Sequence, residues 1–240
     1  MGNRPDRGNG PLAGIVLSTK IGIICEGAID YALLPALLER IARDRAWFTW
    51  PLAPDDVAAR FPIRKRGHGG VLDTIRRLVD ALGTEHFDHA CFVILLDRRT
   101  EPVQRKVLKL IRGKSRFVLG VAIEEIEAWW LGDRTSTLAW TELVPTGLPG
   151  DSPYALPSYR AEKDPHPKRT LSELTKLSNR FDRAYGEGNL DMAIEFAEDY
   201  WRRTANLDEI ALQCPRGYGQ FERRMRDAFR RAKARTGQLP

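Results

Sequence analysis

The chain has 240 residues, of which 42% are hydrophobic and 29% charged, a balance typical of a globular protein with a sizeable core. Its net charge of +6 and pI of about 9.4 favour polyanionic partners, although an arginine-rich composition alone would give the same charge. No apolar run approaches a membrane span, no secretory leader opens the chain, and the three cysteines lack metal-ligand spacing. These features predict a cytoplasmic protein with buried, reduced thiols and no membrane contact.

The first half of the chain alternates between strand-like and helix-like patterns. Residues 1–14 lack periodicity and are expected to form a flexible arm. Strands are predicted at Ile21–Cys25, Ala90–Leu96 and Phe117–Ile123, with weaker candidates at Trp47–Leu52 and Phe61–Ile63. Helical periodicity follows at Ala28–Ile41 (which Pro35 should kink), Val71–Leu82 and Val103–Ile111, and from Glu124 onwards; a loop is expected at Gly67–Gly70. This order predicts an α/β core over residues 15–133, with a mostly parallel sheet flanked by helices.

The second half of the chain has a different character. Prolines punctuate residues 134–168, which predicts a long irregular loop. Beyond residue 169 the apolar pattern is helical throughout, with one stripe containing Leu190 and Trp201 and another containing Phe221 and Phe229. We therefore expect residues 169–240 to form a helical extension that packs on the core.

Acidic residues follow three of the predicted strands. Glu26 follows the first, Asp97 ends the central apolar run, and Glu124, Glu125 and Glu127 follow the next strand. If these strands are neighbours, the carboxylates converge at one edge of the sheet. Clustered carboxylates repel one another, and a hard cation such as Mg²⁺ or Mn²⁺ relieves that repulsion. Such an ion can activate water and steady the charge of a phosphodiester transition state.

The same segments resemble a known family. The run Glu26–Asp30, Glu-Gly followed by Asp, resembles the opening motif of the TOPRIM domain, as in nucleases of the overcoming-lysogenization-defect (OLD) type. The run Leu95–Arg99 stands where that family has Asp-x-Asp. The run Ile123–Trp129 resembles the third acidic motif of an uncharacterised bacterial TOPRIM-like family. Further matches are Gly67–Gly70, Pro167-Lys168, and Cys214-Pro215 with Phe221.

This resemblance implies a Rossmann-like TOPRIM fold and a Mg²⁺- or Mn²⁺-dependent phosphodiesterase acting on DNA or RNA. By position, the catalytic residues would be Glu26, Asp97 and Glu127, and the metal ligands would be these three with Glu124, or with Glu125 in its place. The family association also implies anti-phage defence and a possible ATPase partner protein.

One residue departs from the family pattern. Arg99 replaces the second aspartate, and a guanidinium binds phosphate rather than a cation. Phosphate or nucleic-acid contacts are therefore assigned to Arg99, to the Gly69-Gly70 backbone as an anion nest, and to Lys168 and Arg169.

Simpler interpretations exist for each residue. Glu26 suits a helix N-terminus, Asp97 suits a turn, and Glu124–Glu127 could be a solvated first turn. For the whole chain, the first alternative is a degenerate TOPRIM-like module that binds nucleic acid, a nucleotide or a partner protein without chemistry. The second is an assembly subunit that docks through its helical tail.

Overall fold

A computed structural model gives the arrangement of the chain. It describes residues 20–47, 52–61, 68–97, 101–186 and 190–235. The predicted arm over residues 1–14, the arginines Arg98 and Arg99, and Gly67 lie outside these ranges.

Four strands and ten α-helices are found within the described ranges. The strands are β1 (Lys20–Ile24), β2 (Ala53–Asp56), β3 (Cys91–Asp97) and β4 (Phe117–Ala122). The helices are α1 (Ala28–Asp44), α2 (Val57–Arg60), α3 (His68–Ala81), α4 (Glu101–Ile111), α5 (Glu127–Gly132), α6 (Arg134–Trp140), α7 (Pro167–Leu177), α8 (Leu190–Phe196), α9 (Leu207–Gln213) and α10 (Tyr218–Arg235). Short 3₁₀ turns occupy Pro145–Gly147, Pro153–Ala155 and Ala161–Lys163, and a π-helix spans Ala197–Thr204.

The strands form one parallel sheet in the order β2-β1-β3-β4. The predicted α/β class with a parallel sheet and flanking helices is confirmed. Strands β1 and β3 are adjacent at the centre of the sheet, with Ile21 opposite Cys91 and Ile24 opposite Ile94. After β1 the chain continues to the strand on one side of this pair, and after β3 it continues to the strand on the other side.

The core has two layers because the central strands are apolar on both faces. In β3, Cys91, Val93 and Leu95 face a large cluster that also contains helix α1 and the C-terminal helices. Their neighbours Phe92 and Ile94 face a smaller cluster formed with α3 and α4. This burial on both faces accounts for the uninterrupted apolar run in the sequence.

The C-terminal helices pack directly on the sheet. Helix α10 lies on β4, where Gly120 lets it approach: a Cβ added at this glycine would meet Phe221 Cδ2 at 2.7 Å. The guanidinium of Arg224 donates a 2.6 Å hydrogen bond to the carbonyl oxygen of Leu119 in the edge strand. The expected packing of the helical extension on the core is thus observed.

The structure changes three parts of the predicted arrangement. The second strand is Ala53–Asp56, a polar edge strand with a proline, of the kind that apolar patterning does not reveal. The strand candidates Trp47–Leu52 and Phe61–Ile63 lie mostly outside the described residues, and their described members, Trp47, Leu52 and Phe61, are outside regular structure. Residues 68–70 belong to the first turn of α3 rather than to a loop.

The third correction concerns the proline-rich segment. Its first residues form helix α6, which begins where the Asp133 side chain accepts a hydrogen bond from the Ser136 N–H. Pro167 stands in the first turn of α7, a position where its missing N–H costs nothing. Helix α1 extends as one helix past Pro35.

The structure bears on two expectations from composition, the burial of the cysteines and the lack of a membrane-spanning segment. All three cysteines are buried, as predicted. In the ranges that the structure covers, no helix has the length and apolar character needed to cross a membrane.

Candidate active site at the carboxyl edge of the sheet

The strand order creates a crevice at one edge of the sheet. Open parallel sheets bind ligands outside the carboxyl ends of the strands, at the point where the chain direction across the sheet reverses. Here that point lies between β1 and β3. Glu26 follows the end of β1 by two residues, and Asp97 is the last residue of β3. The two carboxylates predicted as central therefore flank this crevice.

Asp97 has the most perturbed acidity of the cluster. Burial, followed by the negative charges of Asp30, Glu26, Glu127 and Glu125, raises the pKa of its carboxyl to about 8. Its backbone carbonyl accepts a 3.0 Å hydrogen bond from Gln104 Nε2 in the first turn of α4. Asp97 thus stands in a fixed position with four other carboxylates acting on it.

Asp30 is a member of this cluster to which the sequence gave no role. Its Oδ2 accepts a 3.1 Å hydrogen bond from the Gly27 N–H, which closes the first turn of α1 immediately after Glu26. Burial raises the pKa of Asp30 to about 6, and the charge of Glu26 contributes in the same direction. The signal in the sequence was its spacing: four residues after Glu26, an acid on the first helical turn can return to the same side.

The turn between β4 and α5 contains two acidic residues, Glu124 and Glu125, with different surroundings. Glu124 has a φ of 66°, in the left-handed region, and leads the chain from β4 towards α5. Glu125 follows, and its Oε2 accepts a 3.2 Å hydrogen bond from the Lys168 N–H. The charge of Glu125 acts on Asp97 and Asp30. The assignment of Glu124 as a ligand stays a prediction.

Glu127 is the most deeply buried of these carboxylates, with 4% of its surface exposed. Burial raises its pKa to about 7, although a hydrogen bond from Tyr185 opposes the rise. The Tyr185 hydroxyl donates to Glu127 Oε1 at 2.8 Å. Tyr185 was missed by the sequence reasoning, and nothing near it in the sequence indicates this contact across 58 residues.

Lys168 supplies positive charge beside the acids. It lies in the first turn of α7, which packs on α5, and its charge lowers the pKa of both Asp30 and Glu127. The next residue, Arg169, is exposed and forms a 2.8 Å ion pair with Glu173 on the same helix. Of the two predicted phosphate ligands on this helix, Lys168 is therefore the one that acts on the carboxylates.

Gly69 and Gly70 lie in the first turn of α3. Because α3 returns the chain from the end of β2 to the start of β3, its N-terminus lies at the same edge of the sheet as the carboxylates. The first N–H groups of a helix have no partner within the helix and can bind an anion. Their contact with phosphate stays a prediction, and Arg99 lies outside the described residues.

The chemistry of these donors fits a hard cation. Five carboxylates act on one another, and the raised pKa values of Asp97, Glu127 and Asp30 express the cost of holding their charge together in a buried place. Carboxylate oxygens are the ligands that Mg²⁺ prefers. Within the residues described, however, no group of three His, Cys, Asp or Glu side chains is arranged to hold a metal ion.

Comparisons of the chain with protein-family models, with curated proteins and with solved structures found no match. The resemblance to TOPRIM-like proteins therefore depends on the motifs alone.

Proposed function

We propose that this protein is a Mg²⁺- or Mn²⁺-dependent phosphodiesterase of the TOPRIM type that hydrolyses DNA or RNA. The observation that carries the proposal is the gathering of Glu26, Asp97 and Glu125–Glu127 at the carboxyl ends of three adjacent parallel strands. Perturbed acidity in such a crevice is typical of catalytic sites. The likeness to OLD-type nucleases extends the proposal to anti-phage defence and to an ATPase partner.

In this proposal Glu26, Asp97 and Glu127 hold the ion, together with Glu124 or Glu125. Bound there, the cation would supply a Lewis acid that activates water and steadies charge on the phosphoryl group. Lys168 would neutralise negative charge on a phosphate oxygen, as it already does for the neighbouring carboxylates.

The proposal also predicts that cation binding changes the protonation of the carboxylates. With pKa values of about 8 and about 7, Asp97 and Glu127 both exchange protons near neutral pH. Ligands bind cations in their deprotonated form, so cation binding should release protons from this pair. Tyr185 positions Glu127 through the 2.8 Å hydrogen bond to Oε1.

The test is cleavage of supercoiled, linear and single-stranded nucleic acids with Mg²⁺ or Mn²⁺. We expect cleavage by the wild-type protein, its loss in EDTA, and a decrease of at least about 100-fold in Glu26→Gln and Asp97→Asn. Asp191→Asn, which changes an exposed carboxylate in the first turn of α8, is the matched control and should keep full activity. Full activity in Asp97→Asn would remove the central support for the proposal.

A second candidate is a binding module without chemistry. Lys168 favours it, because an internal lysine offsets the charge of the carboxylates without a metal ion. The replacement of the family's second aspartate by Arg99 points the same way. This module would bind nucleic acid equally well in EDTA and in Mg²⁺, whereas binding that a chelator abolishes would contradict it.

A further inference from the structure

A pocket of about 910 Å³ is lined in part by helix α7, which also contributes Lys168 to the candidate active site. One wall is the proline-rich segment that includes Pro153, Tyr159 and Lys163, and the other is the face of α7 that includes Arg169 and Lys176. Sites for small ligands measure roughly 300–1,000 Å³, so this pocket is large enough for a nucleotide but not for a duplex.

The charges that line this pocket favour an anion. Its buried carboxylate, Asp164, is already engaged: it accepts hydrogen bonds from the Tyr159 hydroxyl at 2.8 Å, the Thr170 hydroxyl at 2.6 Å and the His166 N–H at 2.8 Å. Arg169 is paired with Glu173. Over the whole lining, four basic side chains, two of them lysines, outnumber three acidic ones: Arg160, Lys163, Arg169 and Lys176 against Asp151, Asp164 and Glu173.

These lysines, Lys163 and Lys176, are exposed, one on each wall of the pocket. Neither forms an ion pair within the part of the chain that the structure covers. Two positive charges therefore line the pocket from two different elements, and ammonium groups are donors suited to phosphate oxygens.

The pocket also offers apolar surface suited to a planar ring. Tyr159 is half-buried there, and Pro153, Pro165 and Leu177 line the same space. Leu177 has 43% of its surface exposed, more than its packing on the core requires. Aromatic and apolar side chains of this kind stack on nucleobases without selecting among them.

Helix α7 connects this pocket with the carboxylates. The N–H of Lys168 donates to Glu125 Oε2 at 3.2 Å, and the next residue, Arg169, lines the pocket. The pocket and the carboxylate site therefore share helix α7 as a common wall.

We propose that this pocket binds a nucleoside phosphate, supplied either by a nucleotide at the end of a single strand or by a free nucleotide. If the bound nucleotide is the end of a single strand, the inference rests on the proposed function, because single-stranded nucleic acid is then the substrate of the carboxylate site. For the second source it stands without catalysis.

Binding is measured on the full chain in EDTA, so that cleavage plays no part. The probes are a fluorescein-labelled single-stranded oligonucleotide, the same sequence as a duplex, and a nucleoside monophosphate followed by calorimetry. The pocket variant is Lys163→Gln with Lys176→Gln. The matched control, Lys106→Gln with Lys109→Gln, removes the same charge from exposed positions of α4, on the opposite face of the sheet.

We expect the single strand to bind at least about tenfold more tightly than the duplex. The pocket variant should lose at least about tenfold in affinity, and the control should stay within about twofold of wild type, with the thermal midpoints of both variants unchanged. Binding of the monophosphate but not of the strand, with the same dependence on the two lysines, would support the free nucleotide as the source.

Three results would overturn the inference: equal affinities of the pocket and control variants, duplex binding as tight as that of the single strand, and no binding of either probe by folded wild-type protein. Failure of the cleavage test with lysine-dependent binding intact would refute the proposed function alone. Cleavage that the pocket variant leaves unchanged, with its binding also unchanged, would refute the pocket alone.

Discussion

Asp97→Asn tests the electrostatics of the carboxylate cluster through protein stability, independently of any substrate. Burial and four neighbouring carboxylates raise the pKa of Asp97 from 3.8 to about 8 in the folded protein. Between those two pH values the folded state keeps a proton that the unfolded state releases. The favourable contribution of this proton is therefore complete below pH 4 and is lost as the pH rises through about 8.

The magnitude follows from the same shift. Each pKa unit corresponds to about 1.36 kcal/mol. For an isolated buried carboxyl, a rise of the pKa from 3.8 to about 8 would therefore lower the free energy of unfolding by nearly 6 kcal/mol at high pH. Asp97 is partly exposed, and Asp30 and Glu127 titrate with it, which reduces the expected change in the free energy of unfolding to about 1–3 kcal/mol. Asparagine has nearly the same shape and cannot ionise, so the variant should avoid this loss.

The assay is thermal unfolding of both proteins from pH 5 to pH 9 in EDTA. The difference between the thermal midpoints of Asp97→Asn and wild type should increase with pH in favour of the variant, by roughly 3–8 °C across this range for a chain of this size. Added Mg²⁺ should then stabilise the wild-type protein and leave Asp97→Asn nearly unchanged. Midpoints that run parallel from pH 5 to pH 9 would refute the electrostatic account.

Three further changes test the surroundings of the site. Gly120→Val should destabilise the protein by about 1–3 kcal/mol in urea titrations, because the new side chain meets Phe221 at 2.7 Å. Tyr185→Phe should cost about 1–2 kcal/mol at pH 8 and less at pH 5, because the lost hydrogen bond stabilises the ionised form of Glu127. Glu124→Gly should leave the free energy of unfolding within about 1 kcal/mol of wild type, because glycine adopts the left-handed conformation without cost, and its cleavage activity distinguishes the two candidate ligands: retained cleavage assigns the role to Glu125.

Each of these changes has a control or a contrary outcome. For Gly120→Val the control is Gly150→Ala, since an added Cβ there meets no atom within 4 Å and should change stability little. Equal effects of Tyr185→Phe at both pH values would show that its hydroxyl does not act on the charge of Glu127. Loss of cleavage in a stable Glu124→Gly protein would assign the ligand role to Glu124 rather than to Glu125.

Local patterns in the sequence determined the sheet and two of its acids. The apolar run ending at Asp97 predicted a strand buried on both faces, and Glu26-Gly27 marked the point where strand periodicity changes to helical periodicity. Since the carboxyl ends of parallel strands share one edge, the sequence predicted that these two residues converge if their strands are neighbours, and the pairing of β1 with β3 meets that condition. The strand that ends at Asp97 and the change from strand to helix at Glu26-Gly27 both depend on residues adjacent in sequence, and for this reason they could be predicted.

Tertiary structure decided the rest. Strand β2, with the sequence Ala-Pro-Asp-Asp, carries no apolar alternation and exists because β1 offers it a hydrogen-bonding edge. The contacts of Lys168 with Glu125 and of Tyr185 with Glu127 span 43 and 58 residues, and they arise because α7 packs on α5. Charge burial, and with it the acidity of Asp97, depends on how many atoms surround a side chain, a quantity that spacing along the chain does not contain.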